Sequence, residues 1–167
     1  MHLLSIYFNR QHDYGMVVYR PIFMRDMACR GPYFSKLLLN AIYFTASTYS
    51  RRAETRHESE DIQTAGLPYR QRFMELLVTA FDKSDVTTIQ ALIIIASPLY
   101  TWCDERSLSW LYAGIAFNMI IDLGIHIDVS TSNTRRFSEE DLEVRRRIFW
   151  GASGMHCSPL NLYIVFY

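Results

Sequence analysis

The sequence predicts an all-α domain, an irregular multi-helix bundle rather than a solenoid, and three observations carry that prediction. Apolar residues recur at three- and four-residue spacing in one segment after another. No segment ahead of the tail alternates with period two over a useful length, and no repeat of fixed period runs through the chain. The 167 residues are half apolar, 20% charged and 14% aromatic, the composition of one globular domain with a core of its own.

Leu3, Leu4, Tyr7 and Phe8 fall at helical spacing ahead of the polar run Asn9 to Asp13, which predicts a short amphipathic helix. A core-type helix at the very first residues raises the expectation of an incomplete domain. Pro21 suits the first turn of a second short helix, in which Ile22, Phe23, Met24 and Met27 face inward and Arg25 and Asp26 face out. Gly31-Pro32 interrupts the chain, and Ser35 is placed to cap a third helix. Leu38, Ile42, Ala46 and Tyr49 share one face of it, and Leu37, Leu39, Ala41, Tyr43, Phe44 and Thr45 make it apolar nearly all round, so it is expected at the centre of the core. Between Ser50 and Leu67 the periodicity gives way to mixed charge, expected to be a solvated loop or weak helix.

Pro68 opens a fourth helix with Phe73, Leu76, Leu77, Ala80 and Phe81 on one face. Asp85 can cap a fifth, with Ile89, Leu92, Ile93 and Ala96 inward, which Pro98 should kink or end. After Asp104-Glu105-Arg106, Ser107 is expected to cap a sixth helix whose inner side holds Trp110, Ala113, Gly114, Phe117, Ile120 and Ile121, the small pair admitting a close neighbour. Gly124 suits a left-handed stop. Asp128 to Phe137 reads as a surface loop, and Ser138-Glu139-Glu140-Asp141 as the capped, acidic start of a last helix with Val144, Ile148, Gly151 or Ala152, and Met155 buried. Asp141–Arg145 and Glu143–Arg147 are i, i+4 pairs of the favourable order.

Few functional classes fit these residues. Seventeen basic and 17 acidic residues balance, so no global field draws the surface to phosphate backbones or anionic lipid. Cys29, Cys103 and Cys157 are scattered and never form a Cys-x-x-Cys pair, as in a reducing compartment. No signal peptide is read at the start. Ile89 to Cys103 is too short to span a bilayer and is broken by Pro98, and Ile148 to Tyr167 holds too many Gly, Ser, Pro, Asn and His residues. Asp122, His126 and Asp128 make the most tempting metal cluster, but Gly124 breaks the helix between them, so they read as cap and turn residues. His2, His12, His57 and His156 are dispersed, and no nucleophile-elbow, dinucleotide or phosphate-loop pattern occurs. Arg145, Arg146 and Arg147 fan out by about 100° each and read as a solvated face and helix-end complement. The aromatic residues, Trp102, Trp110 and Trp150 with many Tyr and Phe, read as core filling, with a small-molecule pocket between helices as the alternative. No catalytic, cofactor-binding or metal-ligating residue is assigned.

Three stretches carry a resemblance. GPYFSKLLLNAIYFTA (31–46), TTIQALIIIASPLYTWCDERSLSW (87–110) and YAGIAFNMIIDLGIHID (112–128), the last followed by Glu143-Val144-Arg145-Arg146-Arg147-Ile148-Phe149-Trp150, together resemble the fungal-specific transcription factor domain, the middle homology region of fungal binuclear zinc-cluster regulators. The most specific part is the small-residue helix ending in Asp-Leu-Gly and the later Glu-x-Arg-Arg-Arg-x-Phe-Trp. The resemblance implies a nuclear, non-catalytic helical regulatory module that acts through protein or interdomain contacts, with small-molecule effector sensing as the alternative and DNA contact left to a separate domain. A helical enzyme with dispersed catalytic groups is the remaining alternative. The six-cysteine zinc cluster is absent, so no cofactor is expected in this chain. Residues 1–152 are expected to form part of the regulatory domain, truncated at both ends, and 153–167 a divergent, charge-free tail.

Overall fold

The computed structural model describes residues 2–10, 16–50, 64–127 and 137–156, with the side chains of the last two left aside. The expectations for residues 51–63, for the loop 128–136 including Asp128, and for the tail from Cys157 lie outside them. Seven helices run through the described residues: α1 (His2–Asn9), α2 (Arg20–Cys29), α3 (Lys36–Thr48), α4 (Leu67–Val78), α5 (Val86–Thr101), α6 (Arg106–Asp122) and α7 (Glu139–His156). The all-α prediction holds, and no strand occurs among them.

Two helices organise the packing. α3 packs against α1, α4 and α5, while α5 also packs against α6 and α7. α5 is the more deeply enclosed: every residue from Thr87 to Ala96 is buried, as are Pro98 and Leu99. Its start follows the sequence reading, with the Asp85 carboxylate accepting from the Thr87 and Thr88 N–H groups at 2.9 and 3.3 Å. Ser35 likewise caps α3, accepting from the Leu38 N–H at 3.1 Å.

Pro98 does not end α5, which continues to Thr101. A proline lacks the N–H that would bond the carbonyl four residues back, here that of Ile94. The buried Thr45 hydroxyl, projecting from α3, donates to that carbonyl at 3.3 Å, so a neighbouring helix satisfies the acceptor the proline leaves open. Thr45→Val keeps the shape and removes the donor. It should cost about 1 kcal/mol in urea unfolding, and an unchanged midpoint would show that Ile94 does not depend on Thr45.

Asp26 is the clearest departure from the expected faces, since it was placed outside and is only 1% exposed. Its carboxylate accepts from the Tyr33 N–H at 2.8 Å and from Arg25 Nε at 2.9 Å. The Gly31 N–H donates to the Asp26 carbonyl at 3.0 Å. A Cβ on Gly31 would lie 2.4 Å from Asp26 Cγ. The Gly31-Pro32 turn therefore folds over α2's end onto a buried carboxylate, which only glycine permits.

Other details also differ. α4 stops at Val78, leaving Phe81 beyond its end and 44% exposed. Glu105, not Ser107, precedes α6, and it makes no side-chain cap. α7 buries Val144, Ile148, Gly151 and Ala152 as expected.

Candidate functional site

The residues that carry the family resemblance meet where α6 ends and α7 begins. α6 stops at Gly124, whose φ of 60° is the left-handed conformation expected there. The Gly124 N–H donates to the Ile121 carbonyl at 3.0 Å and the Ile125 N–H to the Ile120 carbonyl at 2.9 Å, while Ile120 and Ile125 are both buried. This is a Schellman stop with its apolar contact in place.

Arg145 of α7 completes the stop. Its Nη2 donates to the Gly124 carbonyl at 2.6 Å and the Leu123 carbonyl at 3.4 Å, and its guanidinium lies 4.7 Å from the Phe137 ring centroid. A cation is thus held at the negative end of α6's dipole. The expected Asp141–Arg145 ion pair is not formed, because each partner is engaged elsewhere. Arg147 does pair with Glu143 at 2.7 Å, reaches the Met16 carbonyl at 3.3 Å and lies over the Tyr19 ring at 4.8 Å. Arg146 points to solvent and also pairs with Glu143. The three consecutive arginines thus form no single stripe, as expected, but only Arg146 belongs to a solvated face, because Arg145 and Arg147 are part-buried against carbonyls of other segments.

The start of α7 is tied down equally well. Ser138 Oγ accepts from the Asp141 N–H at 3.1 Å, and Asp141 Oδ2 accepts from the Ser138 N–H at 2.9 Å, a reciprocal capping box. The Tyr33 hydroxyl donates to Asp141 Oδ1, and Arg25 pairs with Glu140 at 2.7 Å. Tyr33 and the Ser138 N–H hold the Asp141 carboxyl below its ordinary range. Burial, and then Asp141 itself, push the Tyr33 phenol up. A depressed carboxyl contributes stability that is complete above its unfolded value, near 4, and lost as pH falls through the lower folded value. Melting temperature should therefore fall with pH below about 4 less steeply in Asp141→Asn than in the natural chain. Identical acid slopes would remove Asp141 from the account.

Chemically, this junction fastens helices together. Asp122 and His126 are exposed, and among the described residues no group of three or more His, Cys, Asp or Glu could hold a metal. Cys29 is exposed, and burial pushes the Cys103 thiol up, which does not favour a nucleophilic thiolate. No described helix is long and apolar enough to cross a membrane.

The aromatics divide. Tyr7, Phe23, Phe44 and Phe73 fill the core as expected, whereas Trp102 and Trp110 are about two-fifths exposed and Trp150 is 65% exposed, so core filling is wrong for the three tryptophans. Two surface concavities of about 560 and 470 Å³, one lined by Asp104 to Leu108 and the other by residues including Ser35, Lys36, Lys83 and Asp85, include none of them.

The inner face expected for α6 is also largely reversed. Ser109, Tyr112, Ala116, Met119 and Ile120 are the buried residues, whereas Trp110, Gly114, Phe117 and Ile121 are on the exposed side. The reason is α6's position: it packs chiefly on α5, and both of its sides are apolar enough to have faced that neighbour. Sequence reasoning also missed the Tyr33–Asp141 and Arg145–Gly124 links, which join residues far apart in the chain. The only signal for the second was a C-terminal Asp-Leu-Gly stop followed by an arginine cluster.

Comparison with known proteins supports the reading of these motifs. The family described as fungal specific transcription factor domain matches residues 4–152. An uncharacterised transcriptional regulatory protein of Schizosaccharomyces pombe is 31% identical over 153 residues, covering 89% of this chain and 23% of that protein. The nitrogen assimilation transcription factor nirA of Emericella nidulans is 29% identical over 154 residues, covering 90% of this chain and 17% of nirA. The nitrogen assimilation transcription factor nit-4 of Neurospora crassa is 27% identical over 161 residues, covering 90% of this chain and 14% of nit-4. The chain thus spans under a quarter of these relatives. No solved structure matches. A helical fold built around the Gly124 stop and the Arg145 cap, matched by the family from α1 into α7, leads to one conclusion: the chain belongs to the fungal specific transcription factor domain family.

Proposed function

We propose that this chain is a regulatory module that works in the nucleus through contacts with other domains of a transcription regulator or with other proteins, without catalysis and without touching DNA itself. The observation that carries the reading is where the family-marking residues act. Gly124, Arg145, Arg147 and Tyr33, the last through Asp141, hold α6, α7 and the segments ahead of α2 and α3 in one arrangement, while α6 presents apolar residues outward. A rigid helical body with an exposed apolar face is suited to being read by another protein surface. The balanced charge gives no steering toward nucleic acid.

A tethering experiment tests this. The full chain, placed between an unrelated DNA-binding domain and an activation domain in a fungal cell, should change reporter output. The core-disrupting Ile120→Ala variant, expressed at the same level, should lose the effect. Equal output with the chain, without it and with the variant would overturn the proposal.

A further inference from the structure

We propose that the concavity between the starts of α3 and α5 and the end of α4 is a binding site for a small zwitterion, a free α-amino acid with an aliphatic side chain. The inference stands on that cavity and is independent of the transcriptional reading.

Three helix ends meet there. Lys36 and Leu37 from the first turn of α3, Thr88 from the first turn of α5, and Leu76 and Ala80 from the end of α4 line a space of about 470 Å³. The helix dipoles polarise it, positive from the start of α3 and negative from the end of α4. The Ser35 hydroxyl accepts from the Leu38 N–H, so the Lys36 and Leu37 N–H groups of the same turn remain for another acceptor.

Thr88 is the observation that points to a ligand. It lines the cavity and is only 4% exposed. Its N–H donates to Asp85 Oδ2 at 3.3 Å, whereas its hydroxyl has no hydrogen-bond partner among the described residues. Thr87 beside it is as deeply buried, and its hydroxyl donates to Asp85 Oδ2 at 2.6 Å. Buried hydroxyls are ordinarily paired, and a polar ligand seated in the cavity would pair this one.

Charge selects the class of ligand. Lys36, Lys83, Asp82 and Asp85 stand around the same space. Among the described residues none of the four enters an ion pair. Asp85 Oδ2 accepts from three donors of α5, and Oδ1 from none of them. A simple anion would meet two carboxylates there and a simple cation two ammonium groups, whereas a molecule that carries both charges finds a partner for each. Leu37 is buried and Leu76 and Ala80 are half-buried, an apolar wall against which a short aliphatic side chain fits. The cavity lies at the surface, so binding should be weak, with a dissociation constant of about 0.1–1 mM.

Amide NMR shifts of the isotopically labelled full chain test this, with glycine, L-alanine, L-valine and L-leucine each added to about 20 mM, well above that constant. L-Valine or L-leucine should shift the Lys36, Leu37 and Thr88 amides saturably. Two analogues of L-leucine, the hydroxy acid that lacks its ammonium and isopentylamine that lacks its carboxylate, should bind about ten-fold more weakly or worse. Thr88→Val keeps the shape of the floor and should weaken binding about five-fold or more while the melting temperature holds. Asp82→Asn, and Lys36→Gln combined with Lys83→Gln, change exposed positions only and should each weaken it about three-fold or more. No saturable shift with any of the four amino acids, or shifts centred elsewhere on the chain, would overturn the proposal. So would binding indifferent to all of these substitutions, and equal binding of the hydroxy acid or of the amine, which would make the cavity a site for one charge alone.

Discussion

Ile120→Ala is expected to lower stability by about 2–5 kcal/mol, whereas Ile121→Ala should change it by about 1 kcal/mol or less. The two are neighbours of the same type on the same helix, and by periodicity both belong inside. In the fold Ile120 is 1% exposed and Ile121 is 49% exposed. Ile120 also supplies the apolar contact of the α6 stop, since its carbonyl accepts from the Ile125 N–H and Ile125 is buried too. Truncation there removes core packing, leaves a cavity and loosens the turn that Arg145 caps. Domains of this size are stable by only about 5–15 kcal/mol, so the first change takes a large share of the whole and should appear as a lower urea midpoint. Equal costs at the two positions would mean that α6 is rotated relative to the rest of the molecule.

Arg145→Met should cost about 1.5–2 kcal/mol, toward the lower part of the range for hydrogen bonds to a charged group because the side chain is only half-buried. Methionine keeps much of the apolar stem and removes the donors, leaving the Gly124 and Leu123 carbonyls without the Arg145 N–H groups at the end of α6. Arg145→Lys should recover less than half. An ammonium can reach one carbonyl as a point charge, but it cannot present a planar fork to two while lying over Phe137. Urea unfolding at neutral pH is the measurement, and full rescue by lysine would show that charge alone suffices. Arg146→Ala is the control, since Arg146 is exposed and its pair with Glu143 is of the kind that contributes little.

Much of the fold was legible because its signals are local. Ser35, Asp85 and Ser138 each act on N–H groups within three residues, and Gly124 needs only its own φ and the preceding turn. Such devices work wherever the chain carries them, so their residue types suffice to identify them. The missed features depend on residues that a linear reading cannot bring together. Pro98 passes as a helix interior because Thr45 donates from another helix. Asp26 is buried because Gly31 and Tyr33 fold back onto it. The expected Asp141–Arg145 pair gave way because Tyr33 and Gly124 offered each partner a better position.

α6 separates the two kinds of information. By itself the sequence determined that the segment after Ser107 is helical and stops at Gly124, that the chain is all-α, and which family's motifs it carries, because periodicity, glycine and capping chemistry act within a few residues. Only the tertiary structure decided which of α6's two apolar sides is inside. α5 covers one side of it, and burial follows from the neighbour rather than from the helix's own pattern. That choice sends Ile120 inward and leaves Trp110, Gly114 and Ile121 on the molecule's exterior.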